Sequence, residues 1–266
     1  MAREIGVDPR TIAAAYRALA DDGLVELRER SGVYVSPQTM VDGEERAPAP
    51  AWLAKILAEG IHHGYSTRDL CDYLREAALA RKVRAVVVAS TKDQLAGMCR
   101  ELRVDYGLEA RGVLAHALKR GSPVPTAVRQ AHLLVTTAAH RDRVDEVSRS
   151  LGKPFVLTDV RAEIFAEWQT LLRREVFVIG TDPHFLAMVE HGLTTVPGGK
   201  NVTFLVAGRD DLSRISEGAP TYVTQAARDV LGRTRIPGRL IPPTRFFDAR
   251  SVDQLLSAIV QINTAA

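Results

Sequence analysis

The sequence predicts an α/β protein: a small α+β domain at the N-terminus, then a C-terminal part made of two similar parallel-sheet α/β lobes. Three observations predict this. The first 35 residues hold one capped helix and two short alternating strands. From Arg84 onward, near-continuous apolar runs alternate with helical stretches, as parallel strands covered on both faces require. Two segments of this second part also echo two later ones at nearly equal offsets. The chain has 266 residues, 46% hydrophobic and 25% charged, with a formal net charge of +3. That is ordinary for a soluble globular protein of one large or two modest domains. The mild basicity is compatible with nucleic acid without being diagnostic of it. Cys71 and Cys99 are the two cysteines. They make no disulfide framework, so a reducing cytoplasm is expected. No apolar run approaches the roughly 18 residues of a membrane span. The N-terminus carries charges at Arg3 and Glu4 and no apolar signal core, so secretion is not expected.

The N-terminal elements follow from local chemistry. Ala2 to Ile5 reads as the tail of a helix and Gly6 as a turn. Asp8 can cap the next helix, and Pro9 fits its first turn. Ile12, Ala15, Tyr16 and Leu19 recur at helical spacing and predict one buried stripe. Gly23 suits the helix end. Leu24 to Arg28 alternates, Glu29 to Gly32 is a turn, and Val33-Tyr34-Val35 returns as a second strand, which makes a hairpin. Helix tail, turn, capped helix and basic-tipped hairpin together predict a winged helix-turn-helix, with the capped helix in the major groove and the hairpin as the wing.

The stretch "REIGVDPRTIAAAYRALADDGLVELRERSGVYV" resembles the GntR family of bacterial transcription regulators. The matching set is Gly-Val-x-Pro-x-Thr, Ala-Tyr-Arg-x-Leu, Asp-Gly-Leu-Val and Ser-Gly-Val-Tyr-Val. It covers about an eighth of the chain. Many family members carry Ser-Arg where this chain has Asp8-Pro9, so it is similar to the branch with Asn-Pro-x-Thr there. The resemblance leaves Arg10, Thr11, Arg17, Arg28 and Arg30 as candidate DNA contacts. Arg10 and Thr11 would reach base edges or phosphates, and the wing arginines phosphate or the minor groove. A solvated charged surface is the plainer role for the same residues. Residues 1 to 35 hold five arginines and six acids, a balance of −1. Phosphate contacts dominate affinity, so binding is expected to need two copies in a dimer. The resemblance also implies a helix and turn ahead of Met1, so the reading frame is expected to start upstream or to be truncated there. A piece of this size buries too little surface to be stable alone.

Residues 36–50, "SPQTMVDGEERAPAP", carry three prolines and no apolar periodicity and read as a linker. The expected domains are therefore 1–36 (partial winged helix-turn-helix), 37–50 (linker), 51–80 (helical hinge or dimerisation element) and 81–266 (α/β effector-sensing domain). Within 51–80, Trp52, Ile56, Leu57 and Ile61 form one apolar face, Gly64 ends the first helix, and Ser66 or Thr67 starts the second. His62 and His63 are adjacent, point different ways on a helix, and do not make a metal site. No metal or cofactor is expected.

Eight strands are expected in the third part: "AVVVAS" 85–90, "GVLAHA" 112–117, "HLLVTT" 132–137, "FVLTDV" 155–160, "VFVIGT" 176–181, "VTFLVA" 202–207, "TYVTQ" 221–225 and "RLIPPT" 239–244. Helical stretches at 92–105, 141–151, 162–173, 183–192 and 251–262 separate several of them. "VVVASTKDQLAGM" (86–98) resembles "VFVIGTDPHFLAM" (176–188), and "HLLVTTAAHRD" (132–142) resembles "PTYVTQAARD" (220–229). The same order at offsets of 90 and 88 predicts a duplicated half.

Two α/β lobes around a cleft resemble bacterial solute-binding folds, which also serve regulators as sensor domains; this step rests on fold alone. Ligands of open α/β sheets sit outside the carboxyl ends of the strands. The candidate ligand residues there are Ser90, Thr91, Thr136, Thr137, Asp159, Thr181, Asp182, Thr224 and Gln225, which suit a small polar ligand. Capping of the following helices is the competing role of the same side chains. The chain carries no Gly-x-Gly-x-x-Gly after a strand, no phosphate loop, no Gly-x-Ser-x-Gly and no His-Glu-x-x-His. No sequence partner is evident for His116, His132, His140, His184 or His191, so no catalytic residue is assigned and no enzyme is expected. The sequence thus points to a homodimeric, DNA-binding, cytoplasmic transcription regulator that responds to a small-molecule effector, with no membrane partner. The alternative is a ligand- or partner-binding sensor that lost DNA binding through N-terminal truncation.

Overall fold

A computed structural model describes residues 8–21, 25–28, 32–35, 50–79, 82–158, 168, 171–242 and 245–265. The chain divides into two compact units, Met1–Leu74 and Arg75–Ala266.

In the first unit, helix α1 (Pro9–Asp21) starts where the capping residue predicts: the Asp8 carboxylate accepts the Arg10 N–H at 2.7 Å. Ile12, Ala13 and Tyr16 are half-buried. Ala15, expected in the buried stripe, is exposed, so the stripe runs one residue to the side. Strands β1 (Val25–Arg28) and β2 (Gly32–Val35) pair antiparallel, with Arg28 opposite Gly32. The expected helix tail at 2–5, Gly6, Gly23 and Arg30 lie outside the described residues. Helices α2 (Pro50–His62) and α3 (Thr67–Leu79) follow. Gly64, at φ +87°, closes α2 in the left-handed region that favours glycine. The Ser66 hydroxyl accepts the Asp69 N–H at 3.1 Å and so opens α3. The helices meet at Gly60, where a Cβ would lie 2.3 Å from a Leu70 methyl. Trp52 and Ile61, expected to share an apolar face, are exposed.

The second unit holds two four-stranded parallel sheets. The first contains β3 (Arg84–Ala89), β4 (Glu109–Leu114), β5 (Leu133–Thr137) and β6 (Phe155–Thr158), in the order β4-β3-β5-β6. The second contains β7 (Val176–Gly180), β8 (Val202–Val206), β9 (Pro220–Val223) and β10 (Arg239–Leu240), in the order β10-β9-β7-β8. Read from the first strand of each, the two orders are the same: the second strand lies on one side, the third and fourth on the other. The sequence echo therefore corresponds to a repeated topology. Both faces of each sheet are covered. Ala85, Val87 and Ala89 enter one core and Val86 and Val88 another. Val176 and Val178 face one core of the second sheet, Phe177 and Ile179 the other. This two-sided burial explains the unbroken apolar runs.

Helices α4 (Lys92–Val104), α5 (Thr126–Gln130), α6 (Arg141–Leu151), α7 (Pro183–Leu193), α8 (Gln225–Leu231) and α9 (Ala249–Thr264) flank the sheets. Helix α9 ends the chain but belongs to the first lobe: Leu255, Ala258 and Ile259 pack with β3 and α4 side chains. Its start is capped by Asp248, which accepts the Ser251 N–H at 2.8 Å.

The differences from expectation have local causes. In the described part of the run 239–244 the strand covers Arg239–Leu240, and Pro242 has no N–H for the ladder. The run 112–117 stops at Leu114 and turns through Ala115–Ala117, while its strand begins three residues earlier, at Glu109. The expected helix at 162–173 lies mostly outside the described residues, and Leu171–Arg173 is a single tight turn. The short helix α5 carries too little periodicity to be seen in sequence.

Leu255 is fully buried and joins α9 to the first lobe. Leu255→Ala is expected to destabilise the second unit by about 2–5 kcal/mol, read as a lower urea midpoint with unchanged slope.

Candidate functional site

In an open parallel sheet, the crevice where neighbouring connections diverge lies at the carboxyl end of the first strand. In the first lobe this point lies between β3 and β5, followed by Ser90 and closed by Thr136 and Thr137. In the second it lies between β7 and β9, followed by Thr181 and Thr224.

One side chain joins the lobes there. Asp93, in the first turn of α4, is 1% exposed. Its Oδ1 accepts the Thr224 hydroxyl at 2.5 Å and the Thr181 N–H at 3.1 Å. Its Oδ2 accepts the Thr181 N–H at 3.1 Å, the Thr181 hydroxyl at 2.8 Å and the Asp182 N–H at 2.9 Å. A carboxylate of the first lobe thus fills the divergence point of the second. At Gly180 a Cβ would lie 2.8 Å from a Leu186 methyl and, in ordinary contact, 3.5 Å from Asp93 Oδ1, so the glycine lets the Leu186 side chain pack close to the strand end. Asp93 is aimed by a capping box at the start of α4. Thr91 accepts the Gln94 N–H at 3.3 Å, and the Gln94 side chain accepts the Thr91 N–H at 3.2 Å.

The same helix face carries the rest of the seam. Asp93, Gly97, Glu101 and Asp105 recur every four residues and so lie along one stripe. At Gly97 a Cβ would sit 2.2 Å from the Phe246 ring. Glu101, buried, accepts the Phe246 N–H at 2.5 Å and the Phe247 N–H at 3.4 Å. Asp105 pairs with Arg245 at 3.3 Å. Residues 245–247 are the chain's return from the second lobe to α9, and this stripe holds them. Burial pushes the Glu101 carboxyl up to about 7, against the two N–H bonds that favour its ion; Asp105 adds to the rise and Arg245 opposes it.

The other candidate ligand residues divide by role. Thr91, Asp182 and Thr224 cap α4, α7 and α8 respectively. The Thr136 hydroxyl is buried and donates to the Val88 carbonyl at 2.9 Å. The Gln225 amide donates to Asp229 at 2.8 Å. Ser90, Thr137, Thr181, Asp182 and Gln225 keep partial exposure. Asp159 lies outside the described residues. Sequence reading found no partner for His140, but its Nε2 lies 2.8 Å from the Ser90 hydroxyl, beside the first lobe's divergence point. Burial lowers the pKa of His140 below its ordinary value, which favours the neutral ring at neutral pH. The residues missed in sequence were Asp93, Glu101 and His140.

In the first unit, Arg10, Thr11 and Arg17 are exposed along α1. Arg28 lies in β1, its side chain outside what the structure describes, as is the whole of Arg30. Cys99 is buried, and burial pushes its thiol up to about 11, which leaves it unreactive. Among the described residues, no three His, Cys, Asp or Glu side chains gather as a metal site, and no helix is long and apolar enough to cross a membrane.

No protein-family model matches the chain, and no curated protein is similar to it. Among solved structures, the chain is similar to the anabolic ornithine carbamoyltransferase of Campylobacter jejuni subsp. jejuni NCTC 11168. The identity is 11%, the match covers 76% of this chain and 95% of that one, and the TM-score is 0.24. A likeness that weak carries no inference about activity.

Glu101 makes stability depend on pH. Its pKa in the folded protein, about 7, lies above its ordinary 4.5. Its contribution is therefore complete below about pH 4.5 and is lost as pH rises through 7. Relative to Glu101→Gln, the native chain is expected to lose on the order of 2–3 kcal/mol between pH 4.5 and 7.5. Urea midpoints of both proteins across that window check this; parallel curves would contradict it.

Proposed function

We propose that the chain is a ligand-responsive transcription regulator. Its second unit senses a small polar molecule between two α/β lobes, and its first reads DNA through a GntR-like winged helix-turn-helix. The observation that supports the sensing half is the Asp93 joint: two lobes of one topology meet at a divergence point, and one side chain closes it. A joint this localised is either made or broken. A ligand that prefers one state shifts the population between them, by no more than its difference in affinity. The partly exposed Ser90, Thr137, Thr181, Asp182 and Gln225 are the groups a polar ligand would meet. His140 joins that set through Ser90. We read the Ser90–His140 pair as a binding contact, because no carboxylate orients the other ring nitrogen among the described residues.

The DNA-reading half rests on α1 and the β1–β2 hairpin. Exposed Arg10 and Thr11 in the first turn, with Arg17 two turns on, fit a helix that presents its N-terminal end to the groove. Arg28 and Arg30 belong to the wing in this reading. The protein would act as a cytoplasmic homodimer, and the exposed Trp52, Ile61, Tyr73 and Leu74 of α2 and α3 supply apolar area for the dimer.

Selection of bound fragments from random DNA by the full chain tests the reading. The expected result is enrichment of an inverted repeat, with affinity that falls steeply with salt. Arg10→Ala and Arg17→Ala should each weaken binding about tenfold or more. Failure to enrich any sequence at low salt would move the assignment to a sensor that no longer grips DNA.

A further inference from the structure

The groups around the Asp93 carboxylate form a receptor. Five hydrogen bonds reach its two oxygens, all from three residues of the second lobe: the Thr181 N–H, shared by both oxygens, the Thr181 hydroxyl, the Asp182 N–H and the Thr224 hydroxyl. The donors come from the ends of two adjacent strands, β7 and β9, and converge on one planar group. The second lobe supplies every donor and the first lobe only the anion. The donors are neutral N–H and O–H groups, and no cation contacts the Asp93 oxygens among the described residues. Asp182, the α7 cap, stands beside the cradle with its own carboxylate turned to the His184 N–H. Such a cradle suits a singly charged, planar carboxylate. A phosphate dianion would meet the Asp182 charge with no cation to offset it.

We propose that the β7–β9 divergence point is a carboxylate-binding site which Asp93 occupies as a tethered ligand, and that a free small carboxylate binds the same donors when Asp93 is absent. The inference rests on the two-lobed sensor reading for its biological sense. It names the ligand class: a molecule bearing a carboxylate, which competes with Asp93 and so opens the seam.

Chemical rescue tests this without DNA. Thermal unfolding of the native chain, Asp93→Ala and Asp93→Asn is followed at pH 7 in sodium chloride, sodium formate, sodium acetate and sodium phosphate of equal ionic strength. Asp93→Ala is expected to melt about 10 °C below the native chain in chloride. Formate and acetate should recover at least half of that loss with saturable dependence. Phosphate should recover none, and the native chain and Asp93→Asn, whose amide fills the cradle, should not respond. Equal shifts in all three proteins, or no recovery of Asp93→Ala, would overturn the proposal. Rescue by phosphate as strong as by formate would overturn the carboxylate assignment. If Asp93→Ala fails to fold in chloride, its refolding yield becomes the readout. Recovery in formate supports the site, and failure in every salt while Asp93→Asn folds contradicts it. None of these results depends on whether the first unit binds DNA.

Discussion

The buried carboxylate of Asp93 is the constraint on which the second unit depends. An ion taken out of water costs several kcal/mol unless its lone pairs are met. Here the partners are donors at the ends of two strands of the other lobe. Charge-assisted bonds of this kind contribute about 1.5–3 kcal/mol each, enough to offset the burial only while all are in place. The joint therefore requires both lobes at once, and it requires β7 and β9 to end in register. That register is set by the pairing of Phe177 with Thr221 and of Ile179 with Val223.

Helix α4 turns this local joint into a seam. One face buries Leu95, Met98 and Leu102 in the first lobe's core. Another, the stripe Asp93, Gly97, Glu101 and Asp105, holds the second lobe's donors, an aromatic ring, two backbone N–H groups and an arginine in turn. The stripe therefore grips the second lobe at one end and the chain's return to α9 along the rest. Helix α9 then packs its apolar side chains back into the first lobe.

Much of this fold was legible in the sequence because it rests on local periodicity. Runs such as Ala85–Ala89 and Val176–Gly180 are apolar throughout because both of their faces are covered. The echo of 86–98 in 176–188 corresponds to two sheets of one order. Capping residues were legible too, since Asp8, Ser66, Asp182 and Thr224 act within a turn of their own position. The seam was not legible. Asp93 in a first helical turn looks like any acid favoured by the helix dipole, and its partners lie 88 to 131 residues away. Glu101 reads as an ordinary surface acid until Phe246 and Phe247 arrive from 145 and 146 residues on. His140 finds Ser90 across 50 residues. The strand-end hydroxyls read in sequence as ligand groups, and part of their capacity is taken up within the chain.

The claim that Asp93 and Thr224 form the joint between the lobes is tested most directly by a double-mutant cycle. Unfolding free energies are measured for the native chain, Asp93→Ala, Thr224→Val and the double variant. The Thr224 hydroxyl also caps α8 by accepting the Ala227 N–H at 3.1 Å, but that contribution is lost in both backgrounds and cancels. The account predicts a coupling of about 1–3 kcal/mol, with each substitution costing less in the presence of the other than alone. Losses that add to within about 0.5 kcal/mol would contradict it and show that the Asp93–Thr224 bond does not hold the lobes together.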